Sequence, residues 1–265
     1  MAKKQKKTPS KLSCNTAKGK TAKNSSAIPR NAKRLAAKLA PEVKLGGKPD
    51  TDPKRVAAIL AKLDEAYPDA SCELVHERPF QLLISTILSA QCTDVRVNEV
   101  AKMLYSKYST PEKFAYANPA HLEQDIRPTG FFRNKTKSIM GASKKIVEEF
   151  GGKVPQTMEE LLTLPGVARK TANVVLGSGF GIASGVVVDT HVIRLSNRLD
   201  LTRHSDPKKI EQDLMLAVPK EKWIIFSHQL IWHGRRVCVA RKPRCIECNL
   251  EKLCYAKDKT YSMHS

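Results

Sequence analysis

Leu164-Pro165-Gly166-Val167-Ala168-Arg169-Lys170-Thr171 follows directly on a marked helix start. Just upstream, Thr157-Met158-Glu159-Glu160 is a capping box, in which the hydroxyl and the carboxylate each satisfy a free backbone N–H. That helix runs into Pro165-Gly166, a tight turn, and a second helix is expected to open at about Val167. Gly166 lets the backbone approach a phosphate closely, and the free N–H groups of the second helix favour an anion. Helix, glycine hairpin and helix together make a clamp for a nucleic-acid backbone. Lys170 falls in the first turn of the second helix. The helix dipole there disfavours an ammonium, and burial would disfavour it further, which suits a nucleophilic amine. The plainer alternative is that Arg169 and Lys170 are ordinary phosphate contacts.

Working outward, the chain reads as helices with clear starts. Asp52-Pro53 is an N-cap followed by proline, and Val56, Ile59, Leu60 and Leu63 then recur at helical spacing. Pro79–Ala90 is nearly continuous apolar sequence and is expected to be a buried central helix. Thr93-Asp94 caps another, Asp206-Pro207 repeats the proline signature, and a further helix is expected over Lys222–Trp232. Val186-Val187-Val188 is the only strand-like stretch, and three residues do not make a sheet. The expected fold class is all-α. Between Lys170 and Asp189 lie 18 residues without a formal charge, near the length that crosses a bilayer, but their glycines and polar residues read as a helix end and a loop. No membrane association is expected.

Composition sets the class of partner. The 265 residues hold 46 Lys and Arg against 26 Asp and Glu, a net +20, with 41% hydrophobic residues. Residues 1–50 carry 14 of the basic and 2 of the acidic residues, yet the remainder is basic too. Such a balance points to a polyanion. The tail has few large apolar side chains and is expected to be mostly disordered, with a short basic helix at Asn31–Ala40 ending before Pro41. No secretory signal is visible at the N-terminus.

Two further motifs carry chemistry. Cys238, Cys245, Cys248 and Cys254 crowd into 17 residues, whereas Cys14, Cys72 and Cys92 are scattered. Four soft thiolates so placed can surround one zinc ion or a 4Fe-4S cluster, and the spacing alone does not choose. Either would be structural, since four protein ligands leave no open position. Val188-Asp189-Thr190-His191 places a carboxylate at a helix start. Asp189 is then either an N-cap or a group that stabilises positive charge and accepts a proton.

Taken together, Leu164-Pro-Gly-Val-x-Arg-Lys-Thr-Ala-Asn-Val-Val-Leu176, Val188-Asp-Thr-His191, Leu88-Ser-Ala-Gln-x-Thr-Asp94 and the four cysteines resemble the endonuclease III family. Its members are DNA glycosylase/AP lyases with a helix-hairpin-helix, and the resemblance covers about residues 52–256. It implies a 4Fe-4S cluster on the four cysteines, Lys170 as nucleophile and Asp189 as catalytic aspartate. It also implies that Gln91 and His191 enter the gap left by a flipped nucleotide. Phe131 falls where many members carry an aliphatic wedge. Leu164, Pro165, Gly166, Val167, Arg169 and Thr171 would contact DNA through the hairpin, and Arg241, Lys242 and Arg244 through a basic loop. Many members have glycine where this chain has Ala168, which puts one backbone–phosphate contact in question.

The implied architecture is two helical domains with the DNA cleft between them: a six-helix barrel over residues 72–183, and a cluster domain from 51–71 and 184–265. The implied partner is double-stranded DNA containing oxidised pyrimidines or abasic sites, bound by a monomer in the bacterial cytoplasm. In a eukaryotic source the basic tail is a candidate targeting segment. One rival is a monofunctional adenine glycosylase of the same superfamily, but the helix over Pro79–Ala90 lacks that enzyme's catalytic glutamate. Another is a non-catalytic DNA-binding or redox protein using cluster and hairpin only structurally.

Overall fold

The computed structural model describes residues 48–261, and the basic segment before them, with the helix expected at Asn31–Ala40, lies outside the described residues. Seven of the eleven α-helices among the described residues begin where a short polar side chain pairs the orphan N–H groups. Asp52 accepts from the amides of Lys54 and Arg55 and starts α1 (Pro53–Ala66). α2 (Pro79–Leu88) opens on proline without a side-chain cap, and Thr93 caps α3 (Asp94–Lys107). Two short helices, α4 (Pro111–Ala115) and α5 (Pro119–Ile126), each open on proline after a Thr or Asn cap. The 19-residue α6 (Phe132–Phe150) follows, then α7 (Met158–Leu162) and α8 (Arg169–Val174), which widens into a π turn at Val175–Gly179. Asp189 and Asp206 cap α9 (Thr190–Arg198) and α10 (Pro207–Ala217), and α11 (Trp223–Arg236) closes the helical part. No strand occurs among the described residues.

The ends of two helices and one cap differ from expectation for physical reasons. α2 ends at Leu88, because the chain turns towards Gln91, whose φ is +54°. α11 runs on to Arg236, since buried His233 and Gly234 continue its inner face. At Thr157 only half of the capping box forms. The hydroxyl accepts from the Glu160 amide, but the Glu160 carboxylate accepts from that hydroxyl rather than from a backbone N–H.

Apolar side chains gather in two clusters. One is built around α2, whose residues Leu82–Leu88 are all buried, and includes Val97, Phe114, Leu122, Ile139, Leu164 and Val175. The other draws on both ends of the described chain: Ile59 and Leu63 of α1, Leu195, Ile210, Phe226, Leu230 and Leu250. Val186-Val187-Val188 shows how they meet. Val187 packs in the first cluster while Val186 and Val188 pack in the second. An extended chain sends successive side chains to opposite sides, so this stretch is apolar because it passes between two cores, not because it pairs in a sheet. Its Val187 amide donates to the Ser227 hydroxyl of α11. No helix among the described residues is long and apolar enough to cross a membrane.

Candidate active site and four-cysteine centre

The hairpin is pressed against α6, and glycine makes that possible. Gly166 has φ +78°, and a Cβ there would lie 2.5 Å from the Ser138 Cβ. Reciprocally, a Cβ on Gly141 of α6 would meet the Pro165 ring at 3.1 Å. Leu164 and Val167 are buried anchors on either side of the exposed Pro165-Gly166 turn. α8 therefore starts at Arg169 rather than Val167, with no side chain capping its first amides. Ala168 sits at φ −105°, ψ 170°. This is extended backbone that any residue adopts, so alanine in place of glycine strains nothing here.

Lys170, second in α8, is solvent-exposed. It lines a cleft together with Asp189, Thr86, Ser89, His228, Trp232 and Arg235. The walls thus come from both apolar clusters. Asp189 is the N-cap of α9, and its Oδ1 accepts from the amides of His191 and Val192 at 2.8 and 2.9 Å. Both expected roles are compatible, since the cap uses one carboxylate oxygen. At the rim Arg235 pairs with Asp94 at 2.7 Å and with Glu73. Burial holds the pKa values of His191 and His228 below the ordinary histidine value and raises that of Cys72.

The other expected DNA contacts fall in distinct settings. Gln91, Phe131 and Lys242 are three of the four non-glycine residues with positive φ among the described residues, and all three are exposed. Backbone held in this region costs about 1–3 kcal/mol and gathers at functional sites. His191 differs. It is half-buried, with Nδ1 3.2 Å from Arg194 and its ring against Gly234, where a Cβ would come within 2.9 Å. Arg169 is committed to the buried carboxylate of Glu211 at 2.6 Å, which also accepts from Asn173. Thr171 is half-buried. Arg241 is exposed, and Arg244, also exposed, pairs with Glu247 at 3.1 Å. Sequence reading missed Glu211, Gly141, His228 and Arg235, since each acts through a contact distant in sequence.

Cys238, Cys245, Cys248 and Cys254 line one small cavity. Among the described residues no three His, Cys, Asp or Glu side chains gather closely enough to hold a single metal ion. Donors face the sulfurs: the Arg198 guanidinium meets the Cys238 sulfur at 3.1 Å, and the Thr260 and Ala256 amides point at Cys245 and Cys254. His233 Nε2 lies 3.4 Å from Cys248, while its Nδ1 meets the Tyr67 hydroxyl. Burial pushes His233 down to about 4, so the ring is neutral at neutral pH, and a hydroxyl donating to Nδ1 leaves Nε2–H for the sulfur. Burial also pushes the Cys248 thiol up to about 12.

Residues 84–220, which include Gln91, Phe131, the hairpin, Lys170 and Asp189, match the HhH-GPD superfamily of base excision DNA repair proteins. Endonuclease III of Synechocystis sp. is 58% identical over 76% of this chain and 92% of its own length. The chain belongs to the endonuclease III family. Other endonuclease III relatives include those of Bacillus subtilis, 48% identical over 76% of this chain and 92% of the relative, and Escherichia coli, 39% over 76% and 95%. Among solved structures, an endonuclease III–DNA complex and a trapped endonuclease III–DNA covalent intermediate each match with a TM-score of 0.73. Both are 44% identical, over 77% of this chain and 95% of theirs. The all-α fold is that of endonuclease III, and the four cysteines lie beyond the superfamily segment.

Proposed function

We propose that this chain is a base-excision-repair DNA glycosylase with AP lyase activity, removing oxidised pyrimidines from double-stranded DNA and nicking 3′ to the abasic site. The observation that carries the assignment of chemistry is that Lys170 and Asp189, 19 positions apart, line one cleft. A damaged nucleotide flipped out of the duplex would place its C1′ there. The Lys170 amine, deprotonated for the attack, adds to C1′ as the bond to the base breaks, and the base leaves with its electron pair. The ring C1′–O4′ bond of the resulting adduct then breaks, with O4′ taking a proton, and leaves a Schiff base at C1′. Loss of a proton from C2′ then expels the 3′ phosphate, which cleaves the strand. The Asp189 oxygen not used in capping stabilises cationic sugar and takes up protons.

DNA would lie along the exposed Pro165-Gly166 turn and the loop of Arg241, Lys242 and Arg244. Gln91 and Phe131 would fill the opened duplex, with His191 as a half-buried support beside Gly234. Arg169 serves mainly to hold Glu211. The two apolar clusters support a division into a barrel over 72–183 and a second domain from 51–71 and 184–265. Cys238, Cys245, Cys248 and Cys254 would hold a 4Fe-4S cluster, which ties the loop of Arg241, Lys242 and Arg244 to α9 and α11. We place the enzyme as a monomer in the bacterial cytoplasm, on the nucleoid.

Incubation with duplexes carrying thymine glycol or an abasic site, followed by borohydride, tests this reading. A covalent protein–DNA product on both substrates supports a bifunctional enzyme. Excision without any trapped product would point to a monofunctional glycosylase, and neither activity to a binding protein.

A further inference from the structure

Lys135, in the first turn of α6, is 4% exposed, and its side chain reaches Leu88 of the first apolar cluster. It forms no ion pair with a described carboxylate. Its Nζ instead donates to two backbone carbonyls, those of Leu88 and Thr129, each at 2.7 Å. A buried lysine without an acidic partner is rare, and the choice of acceptors is informative. Leu88 is the last residue of α2, and neighbouring amides bond elsewhere, Ala90 to Ile87 and Cys92 to Ser89. Its carbonyl lies at the negative end of the helix, where an ammonium is favoured. Thr129 ends the single turn Arg127–Thr129 that leads through Gly130 into Phe131. The Lys135 amide also donates to the Phe131 carbonyl at 3.1 Å, closing that turn from its other side.

Each acceptor stands just ahead of a left-handed residue. Gln91 (φ +54°) follows Leu88 by three positions, and Phe131 (φ +46°) follows Thr129 by two. The two carbonyls are no farther apart than the two bonds that share the ammonium. We propose that Lys135 is a positioning residue that clamps the Gln91 turn and the Phe131 turn together, so that both side chains enter an opened duplex as one unit. This rests on the reading of Gln91 and Phe131 given above. Lys135 is too buried to touch DNA itself. Charge-assisted bonds to both carbonyls stabilise the pairing of the turns, and with the clamp removed each turn can relax from its strained φ separately.

The test compares Lys135→Met, which keeps length and apolar bulk, with Gln91→Ala/Phe131→Ala and with the triple variant. Duplex opening is read from 2-aminopurine fluorescence beside the lesion, and chemistry from borohydride trapping on a single-stranded abasic oligonucleotide, where nothing need be extruded. Lys135→Met is expected to slow opening by about tenfold or more while single-strand trapping stays within about twofold. Hydrogen exchange is expected to quicken at residues 89–93 and 130–134, not over the whole fold. The triple variant is expected to open DNA no worse than the Gln91/Phe131 pair variant. Should Lys135→Met not accumulate in soluble form, Lys135→Gln, whose amide still donates to one carbonyl, carries the same comparison with a smaller expected loss. Wild-type opening in the Lys135 variant beside a defective pair variant would overturn the clamp alone, as would an equal loss on single strands. Wild-type opening in the pair variant would overturn the reading of Gln91 and Phe131, and the clamp with it.

Discussion

Asp189 caps α9 and lines the cleft with Lys170, so its two proposed roles can be separated by substitution. As N-cap its Oδ1 holds two amides of α9, a role asparagine fills about as well and alanine does not. Asp189→Asn is therefore expected to keep the thermal midpoint near that of the parent while slowing excision strongly. Asp189→Ala is expected to lose the chemistry and, in addition, about 1 kcal/mol of stability. Calorimetry run beside a nicking assay separates the two effects, and equal destabilisation by both variants would leave Asp189 as a cap alone. At Gly166 the positive φ and the 2.5 Å approach to Ser138 act together. Gly166→Ala should cost at least about 1–2 kcal/mol for the backbone alone, and should lower affinity for undamaged duplex. Unchanged affinity in a gel-shift titration would argue against the hairpin as a DNA contact.

At the scale of elements, α8 is fixed to α10 by a buried polar network rather than by apolar packing. Glu211 is 4% exposed and accepts from both Arg169 and Asn173, and a Cβ on Gly185 would lie within 2.1 Å of its carboxylate. Arg169→Gln should leave that buried carboxylate half-paired and destabilise the fold by about 1–3 kcal/mol, lowering the denaturant midpoint. A variant of full stability but weakened DNA binding would instead restore Arg169 as a phosphate contact. This network was invisible in the sequence because Arg169 and Glu211 lie 42 positions apart and no local pattern links them. Helix starts, by contrast, were legible, since Asp52-Pro53, Thr93-Asp94 and Asp206-Pro207 act through bonds spanning three residues. Whether alanine strains the hairpin at position 168 was not legible, because the need for glycine depends on φ, and only Gly166 of the hairpin has a positive one. The capping box at Thr157 half-failed for a similar reason: pattern fixes the residues, not which acceptor the carboxylate's neighbour prefers.

For the molecule as a whole, a net +20 sets long-range attraction to DNA while the folded part sets the chemistry. Asp50 already belongs to that folded part: its amide donates to Asp200, and its carboxylate accepts from the Tyr255 hydroxyl. A truncation should therefore stop at residue 47, which still removes a net +12. If the segment lies along DNA, each phosphate it neutralises adds about 0.9 to the salt slope of binding. The truncated enzyme is expected to show a shallower slope and an unchanged single-turnover rate, and identical slopes would leave the segment without a part in binding. Which base is excised was not legible in the sequence, because the shape of the cleft between two cores is written in no single motif. The candidate nucleophile, Lys170, was legible as a residue of the hairpin's second helix. The most direct measurement is mass spectrometry of the borohydride-trapped, nuclease- and protease-digested complex. The expected result is a reduced sugar remnant on the peptide containing Lys170, absent from Lys170→Gln. A remnant on any other lysine, or trapping that survives Lys170→Gln, would contradict the mechanism.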